Sequence, residues 1–326
     1  MLAYRSKRII FISFIGFLDM KLTLRQLEIF VAIARHENVS RAAEVLALSQ
    51  SAASSALVEL ERQFSCPLFD RLGKSLRLNG MGRGLLPQAE EVLARAAAIE
   101  GFLGGGALGP VAIGATLTIG NYLATLVVAE YLRRHPGSPI SLHVANTDEI
   151  IDGLLGYRLD VGMVEGEVFD PALEVTPWLD DALVVFGPPG HPLAGKVAGN
   201  EELAGEAWIV REPGSGTRAL FDRAIAAPLG GQVPITLALE HTEAIKRAVE
   251  SGLGIGCLSR LSLREAFRRG SLVEIQTPQF DLRRRFHFVR HRQRYQSPAA
   301  TEFLDCCQAI SGEAGSTGEL ALPFIR

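Results

Sequence analysis

Between Arg211 and Arg218 the chain reads Arg-Glu-Pro-Gly-Ser-Gly-Thr-Arg. The two glycines let backbone amides turn inward, and Ser215 and Thr217 add hydroxyl donors where a helix begins. Ser215, Gly216 and Thr217 therefore read as a cradle for an oxyanion. Arg218 stands beside it, either adding a cation or pointing away. The order is not Gly-x-x-x-x-Gly-Lys, so ATP chemistry is disfavoured. Similar chemistry recurs at other strand-to-helix corners: Thr116 and Thr118, Asn146 and Thr147, and Glu240-His241-Thr242. Each alone reads more simply as a helix cap; together they point to a polar, anion-binding cleft. Ser215 has no histidine near it in sequence, and His241 reads as a packing or capping residue. The four cysteines, Cys66, Cys257, Cys306 and Cys307, form neither a Cys-x-x-Cys pair nor a Cys/His cluster. Zinc and a disulfide framework are therefore disfavoured, and no metal, cofactor or catalytic residue is expected.

A second set of polar residues suits a different partner. Gln50, Ser51, Ser54 and Ser55 share the outer side of a helix predicted from about Gln50 to Phe64, with Ala53, Ala56, Leu57 and Leu60 inside. Gln pairs bidentately with adenine and serines reach phosphates or bases, which suits a DNA groove; an ordinary polar face has the same composition. Ser40 is expected to cap the preceding helix, and Leu48-Ser49 to form the turn of a helix-turn-helix. Beyond Pro67, Leu76 and Leu78 alternate beside Lys74 and Arg77 as a small β-wing. From Met20 to Arg83 nine basic and six acidic residues leave +3, against −3 for the whole chain. That local surface suits phosphates. The expected DNA-facing set is Ser40, Arg41, Ser49, Gln50, Ser51, Ser54, Ser55, Arg71 and Lys74. Within it Gln50 and Ser54 read bases, while Arg41, Arg71 and Lys74 hold phosphates.

The elements that position these groups follow from periodicity. Leu85, Ala89, Val92, Ala96, Ile99 and Leu103 recur at spacings of four and three, a heptad-type seam ending at Gly104-Gly105-Gly106. It joins a second chain or packs on its own. From Pro110 strands and helices alternate, giving two small α/β lobes with a cleft between them. The chain is expected to cross near Asp181 and return near Tyr295. The boundaries are then 20–82 for the helix-turn-helix unit, 83–106 for the seam helix and hinge, and 109–312 for the sensor, with 313–326 a mobile tail. Lobe one is 109–181 and 296–312; lobe two is 182–295. In residues 1–19, Arg5, Lys7 and Arg8 precede an apolar run, Ile9 to Leu18. No small-residue cleavage site follows, and the run falls short of the ~20 residues a spanning helix needs. It reads as an extension ahead of a start at Met20; a membrane-touching or ordered extension is the alternative.

The motifs Ser40-Arg-Ala-Ala-Glu-x-Leu, Leu48-Ser-Gln-Ser-Ala-x-Ser54, Leu60-Glu61 and Leu68-Phe-x-Arg71 resemble the signature of LysR-type transcription regulators, in order and spacing. The likeness runs on through Ala115-Thr-x-Thr-Ile-Gly-x-Tyr-Leu, Asn146-Thr-x-Glu-Ile, Val164-Glu-Gly, Gly214-Ser-Gly-Thr-Arg and Glu243-Ala-Ile-Lys-x-Ala-Val. These resemble the branch containing sulfite-reductase activators. Departures include Ser51, where the family usually has proline, which is expected to loosen the start of the recognition helix; Phe64-Ser65 for Leu-Gly; and Leu78-Asn-Gly-Met-Gly82 for Leu-Thr-x-x-Gly. The resemblance implies an α/β multidomain chain: a winged helix-turn-helix, a linker helix pairing antiparallel with a second chain, and a two-lobed, periplasmic-binding-protein-like (type 2) effector domain. It further implies double-stranded promoter DNA, RNA polymerase, a homodimer or homotetramer, a cytoplasmic location away from membranes, and a sulfur oxyanion effector. That effector would be held by Thr116, Thr118, Asn146, Thr147, Ser215, Gly216, Thr217, Arg218 and Thr242. The competing readings are a LysR-type regulator without effector control, a solute-binding protein, and an enzyme.

Overall fold

The computed structural model describes residues 21–72, 75–103, 108–231 and 233–320. The chain divides into two compact units between Ala89 and Glu90. The first opens with α1 (Leu24–His36), which Thr23 and Gln26 close with a capping box. Then come α2 (Val39–Val45), α3 (Gln50–Phe64), and a hairpin of β1 (Phe69–Leu72) and β2 (Ser75–Leu78). Leu27, Phe30 and Ile33 of α1, Ala42 and Ala43 of α2, and Ala53, Leu57 and Leu60 of α3 are all buried. The small alanines let α2 and α3 approach closely. α2 is capped by Asn38, whose side chain accepts from the Arg41 amide at 3.1 Å. Ser40, expected in that role, lies inside the helix and is exposed. α4 (Gly80–Leu103) follows. The Gly104–Gly106 hinge and residues 1–19 lie outside the described residues.

The second unit carries β3 (Val111–Thr116), α5 (Leu117–Ile119), a π-helical turn (Gly120–Ala124), α6 (Thr125–Arg134), β4 (Ile140–Ala145), α7 (Thr147–Leu155), β5 (Val161–Glu165) and β6 (Leu173–Gly187). It continues with α8 (Asn200–Ala204), β7 (Trp208–Arg211), α9 (Gly216–Phe221), β8 (Ile235–Leu239), α10 (Thr242–Glu250), β9 (Ile255–Ser259), α11 (Arg260–Arg269), β10 (Val273–Ile275), β11 (Arg283–His291) and α12 (Pro298–Ser311). Strand order is β4-β3-β5-β11-β6-β9-β7-β8, with β10 also on β6. β3 pairs parallel with β4 and β5, and β7 with β8 and β9; β11 and β6 run antiparallel to their neighbours. The first half of β6 pairs with β11 and its second half with β9 and β10, so this strand walks from one lobe into the other. The chain crosses at Asp180–Asp181, as expected. It returns at Arg283–Arg285 rather than near Tyr295, because β11 pairs with β5 inside the first lobe.

α12 packs on α6 and buries Ala299, Phe303, Cys306 and Cys307 in the first lobe's core. Residues 313–320 correct the expected mobile tail over that stretch, and 321–326 lie outside the described residues. Thr317 and Leu320 are buried, Leu320 in that same core, and Ser316 bridges to Asp180. Composition alone, with two glycines and a serine, does not reveal that two residues of a short segment have buried places waiting for them.

Candidate DNA-contact face and effector cleft

α3 begins with Ser49 as its N-cap, the hydroxyl accepting from the Ala52 amide at 3.1 Å and sharing a 3.0 Å hydrogen bond with Ser51. The start of α3 is therefore tied down, and Ser51 does not loosen it. Gln50, Ser51 and Ser55 are exposed, Ser54 is half-buried, and Arg41 is exposed on α2. The turn thus presents a row of short polar side chains with one guanidinium, and Ser49 contributes by holding the helix end. Arg71 lies in β1, antiparallel to Leu76 of β2. Lys74 and the Arg71 side chain lie outside the description.

The second site is built around Glu165, at the end of β5 and 1% exposed. Its carboxylate accepts from the Thr118 amide at 2.7 Å, the Ile119 amide at 3.4 Å, the Thr217 hydroxyl at 3.1 Å and Arg284 Nη1 at 2.8 Å. Burial alone would raise its pKa. The Arg284 and Arg211 guanidiniums and the Thr118 hydrogen bonds outweigh that and hold it below the ordinary carboxylate value. Arg284 also donates from Nε to Asp181 at 2.8 Å and from Nη1 to the Thr217 hydroxyl at 2.9 Å. Its remaining nitrogen, Nη2, is buried with no acceptor among the described residues. The donors expected for an external anion are thus gathered around an internal one.

The other expected residues sort around this centre. Gly216 N donates to the Thr147 hydroxyl at 3.2 Å, and a Cβ at Gly216 would stand 1.8 Å from the Glu165 carbonyl oxygen. Only glycine lets this second-lobe loop lie against the first lobe. Ser215 is buried at the start of α9; Thr116 donates to the Met163 carbonyl at 3.4 Å. Arg218 points away, paired with Asp222 at 2.8 Å. Thr242, at the start of α10, is buried, and its hydroxyl has no partner among the described residues. Asn146 caps α7 by accepting from the Glu149 amide at 3.0 Å. It also lines an open cavity of about 330 Å³ between the lobes, with Asn121, Glu149, Glu212, Glu240 and His241 among the other walls. That cavity carries three carboxylates, with Glu212 paired to Arg211 at 2.7 Å, which four hydroxyl-bearing corners did not suggest.

Glu165 and Arg284 were the residues missed as site members. A signal existed: Leu282, Arg284, Phe286 and Phe288 share one parity along a strand, which puts one arginine of the Arg283-Arg284-Arg285 run on the apolar side. All four are buried.

The model of the bacterial regulatory helix-turn-helix of the lysR family matches residues 24–83, and that of the LysR substrate binding domain matches residues 104–311. The chain belongs to the LysR family. Its curated relatives include the HTH-type transcriptional regulator YeiE of Escherichia coli, 41% identical over 288 residues, covering 88% of this chain and 98% of the relative. They also include CysL of Bacillus subtilis, 29% identical over 268 residues, with 81% and 89% covered. Among solved structures, the Synechocystis CcmR regulatory domain in complex with 2-PG has a TM-score of 0.58 at 29% identity, covering 63% of this chain and 98% of that one. A full-length OxyR variant from Pseudomonas aeruginosa has a TM-score of 0.65 at 24% identity, covering 89% and 95%, and shares the fold. In LysR terms the first unit and the hairpin are the winged helix-turn-helix, α4 is the linker helix, and the two lobes are the effector-binding domain. No helix among the described residues is long and apolar enough to cross a membrane.

Proposed function

We propose that this LysR-type transcriptional regulator binds promoter DNA through α3 and the α2–α3 turn, and that a small oxyanion, specifically a sulfur oxyanion, alters that binding by entering the donor set now held by Glu165. The observation that carries this reading is the convergence of two backbone amides, the Thr217 hydroxyl and a buried guanidinium on one carboxylate, with Arg284 Nη2 still unpartnered. Such a donor set is built for negative charge, and an external oxyanion competes for it. Thr116 and Ser215 stand two residues along the chain from its members Thr118 and Thr217. The relative's regulatory domain complexed with 2-PG supports a small-molecule ligand in this domain.

Charge restricts the ligand further. Glu149 and Glu240 line the cavity between the lobes, and Glu165 remains ionised at neutral pH. A second full negative charge beside them is unfavourable. An anion that brings its own proton, as hydrogensulfite does, donates to a carboxylate instead. Sulfite is thus favoured over sulfate, and binding takes up a proton, so affinity rises as pH falls.

Calorimetry with sulfite, sulfate, thiosulfate and phosphate tests the reading on the wild type and on Thr118→Val and Glu165→Gln. Sulfite is expected to bind best, and Glu165→Gln to remove the pH dependence. Absence of heat with all four anions defeats the effector assignment. Sulfite binding that leaves the promoter footprint unchanged keeps the pocket and removes the switch. The mutual pairing of Glu165, Arg284 and Asp181 favours one rival, a LysR regulator locked without effector control, and the same titrations separate the two.

For DNA, Gln50 is assigned to bases and Arg41, Arg71 and Lys74 to phosphates. RNA polymerase is the partner expected at the promoter. Self-association through α4 into a dimer or tetramer presents paired recognition helices to paired half-sites.

A further inference from the structure

Asp181 does not end the Arg284 network. Its Oδ2 accepts from Arg284 Nε, while its Oδ1 accepts from the Ser259 hydroxyl at 2.9 Å and from the Thr317 hydroxyl at 2.8 Å. Thr317 is 4% exposed. Its amide donates to the Asp180 carbonyl at 2.8 Å, and the Asp180 amide donates to the Gly315 carbonyl at 2.9 Å. Arg264 of α11 clamps the other side, donating to the carbonyls of Thr317, Gly318 and Leu320 at 2.8, 3.1 and 3.1 Å. A carboxy-terminal strap therefore crosses the chain where β6 passes between lobes. A continuous, largely buried chain of polar contacts runs from it to the cleft: Thr317, Asp181, Arg284, Glu165, and the amides of Thr118 and Ile119.

We propose that Thr317 is a positioning residue for the effector site, acting through Asp181 on Arg284, and that the order of the strap reports the state of Glu165. This rests on the effector reading above for its ligand arm only. Asp181 is shared between Arg284 on one oxygen and Thr317 with Ser259 on the other. Whatever weakens the Glu165 side leaves Arg284 less neutralised, draws Asp181 toward it and lengthens the bond to Thr317. An anion that displaces Glu165 puts a charge of different reach and hydrogen bonding on Arg284, which resets how Asp181 is shared, and by linkage a loosened strap changes the anion's affinity.

Two measurements on the full-length protein test this. In the first, without ligand, amide exchange over 315–320 is compared between wild type and Glu165→Gln. Faster exchange there, with α12 and β8 unchanged, is expected; identical exchange overturns the proposal whatever the effector proves to be. In the second, sulfite affinity is measured for Thr317→Val and Thr317→Ser. The valine variant is expected to lose about five-fold or more, within the range of ordinary allosteric couplings, and the serine variant, which keeps the hydroxyl, to restore it. Wild-type affinity in Thr317→Val overturns the positioning role, and so does loss in both variants. If wild type binds no sulfite, the effector reading fails and the exchange comparison decides this proposal alone.

Discussion

Arg284 carries a full charge with its side chain only 3% exposed, and two carboxylates, Glu165 and Asp181, make that burial tolerable. Burial pulls the guanidinium pKa down, and the two carboxylates more than reverse it. Removing the cation strands two buried negative charges, which costs far more than the net worth of the pairs. Arg284→Met is therefore expected to destabilise the sensor unit by about 3–5 kcal/mol in denaturant unfolding. Adding Glu165→Gln and Asp181→Asn should recover part of that loss, because the residues share one network; a simple sum of three losses would contradict this account. Gly216 acts by lacking a side chain. Gly216→Ala drives a methyl into the Glu165 carbonyl and is expected to cost about 1–3 kcal/mol, as overpacking does, read as a lowered thermal midpoint.

At the scale of elements, α3 separates holding a helix from reading DNA. Ser49→Ala removes the cap and is expected to cost about 0.5–2 kcal/mol of stability. Gln50→Ala, exposed and outside the cap, should leave unfolding unchanged yet weaken operator binding by about 1–3 kcal/mol and relax specificity. Equal losses on operator and scrambled duplex would remove Gln50 from base reading. α4 leaves Val92, Ile99 and Leu103 at 45%, 61% and 77% exposure, an apolar row along one helix. Ala89, in the same heptad pattern, is buried within the first unit. Val92→Glu is expected to yield a smaller species in light scattering; an unchanged oligomer would place self-association elsewhere.

Across the whole molecule, stability at mildly acid pH is expected to depend in part on two histidines of β11. His287 and His291 both have pKa values lowered, by burial first, with Arg285 lowering His287 further and Arg294 lowering His291. Each folded pKa lies below the unfolded value, so the unfolded chain takes up protons first. The associated stability is present above about pH 6.5 and is lost as pH falls through the depressed values. His287, whose Nδ1 is buried with no side-chain or backbone acceptor in hydrogen-bond geometry among the described residues, should contribute to the slope, with burial outweighing the backbone contacts at Gly166 and Arg285. His287→Gln is expected to flatten the fall in thermal midpoint between about pH 7 and pH 5; an unaltered slope would assign it to other groups.

Much of this organisation is legible in the residues themselves, because local chemistry reports local structure. The inner and outer sides of α3, the heptad run through Val92 and Ile99, and the strand-helix alternation after Pro110 each need only neighbours in sequence to be read. They place the winged helix-turn-helix, the linker helix and a two-lobed sensor. The crossing at Asp181 is legible too; the return at Arg283–Arg285 is not, since a strand's lobe depends on which strand it pairs with. Caps lie at the margin: Asn38 and Ser40 both have capping side chains, and backbone geometry chose Asn38. The site's charge was decided only in three dimensions. Hydroxyls at four corners predict donors, but not that Glu165 occupies them, that Arg284 joins Glu165 to Asp181 across 119 and 103 residues of chain, or that Thr317 closes the network from a segment composed like a loose tail. Those contacts arise because burying one arginine requires carboxylates from distant strands to converge on it, and no local pattern records that convergence.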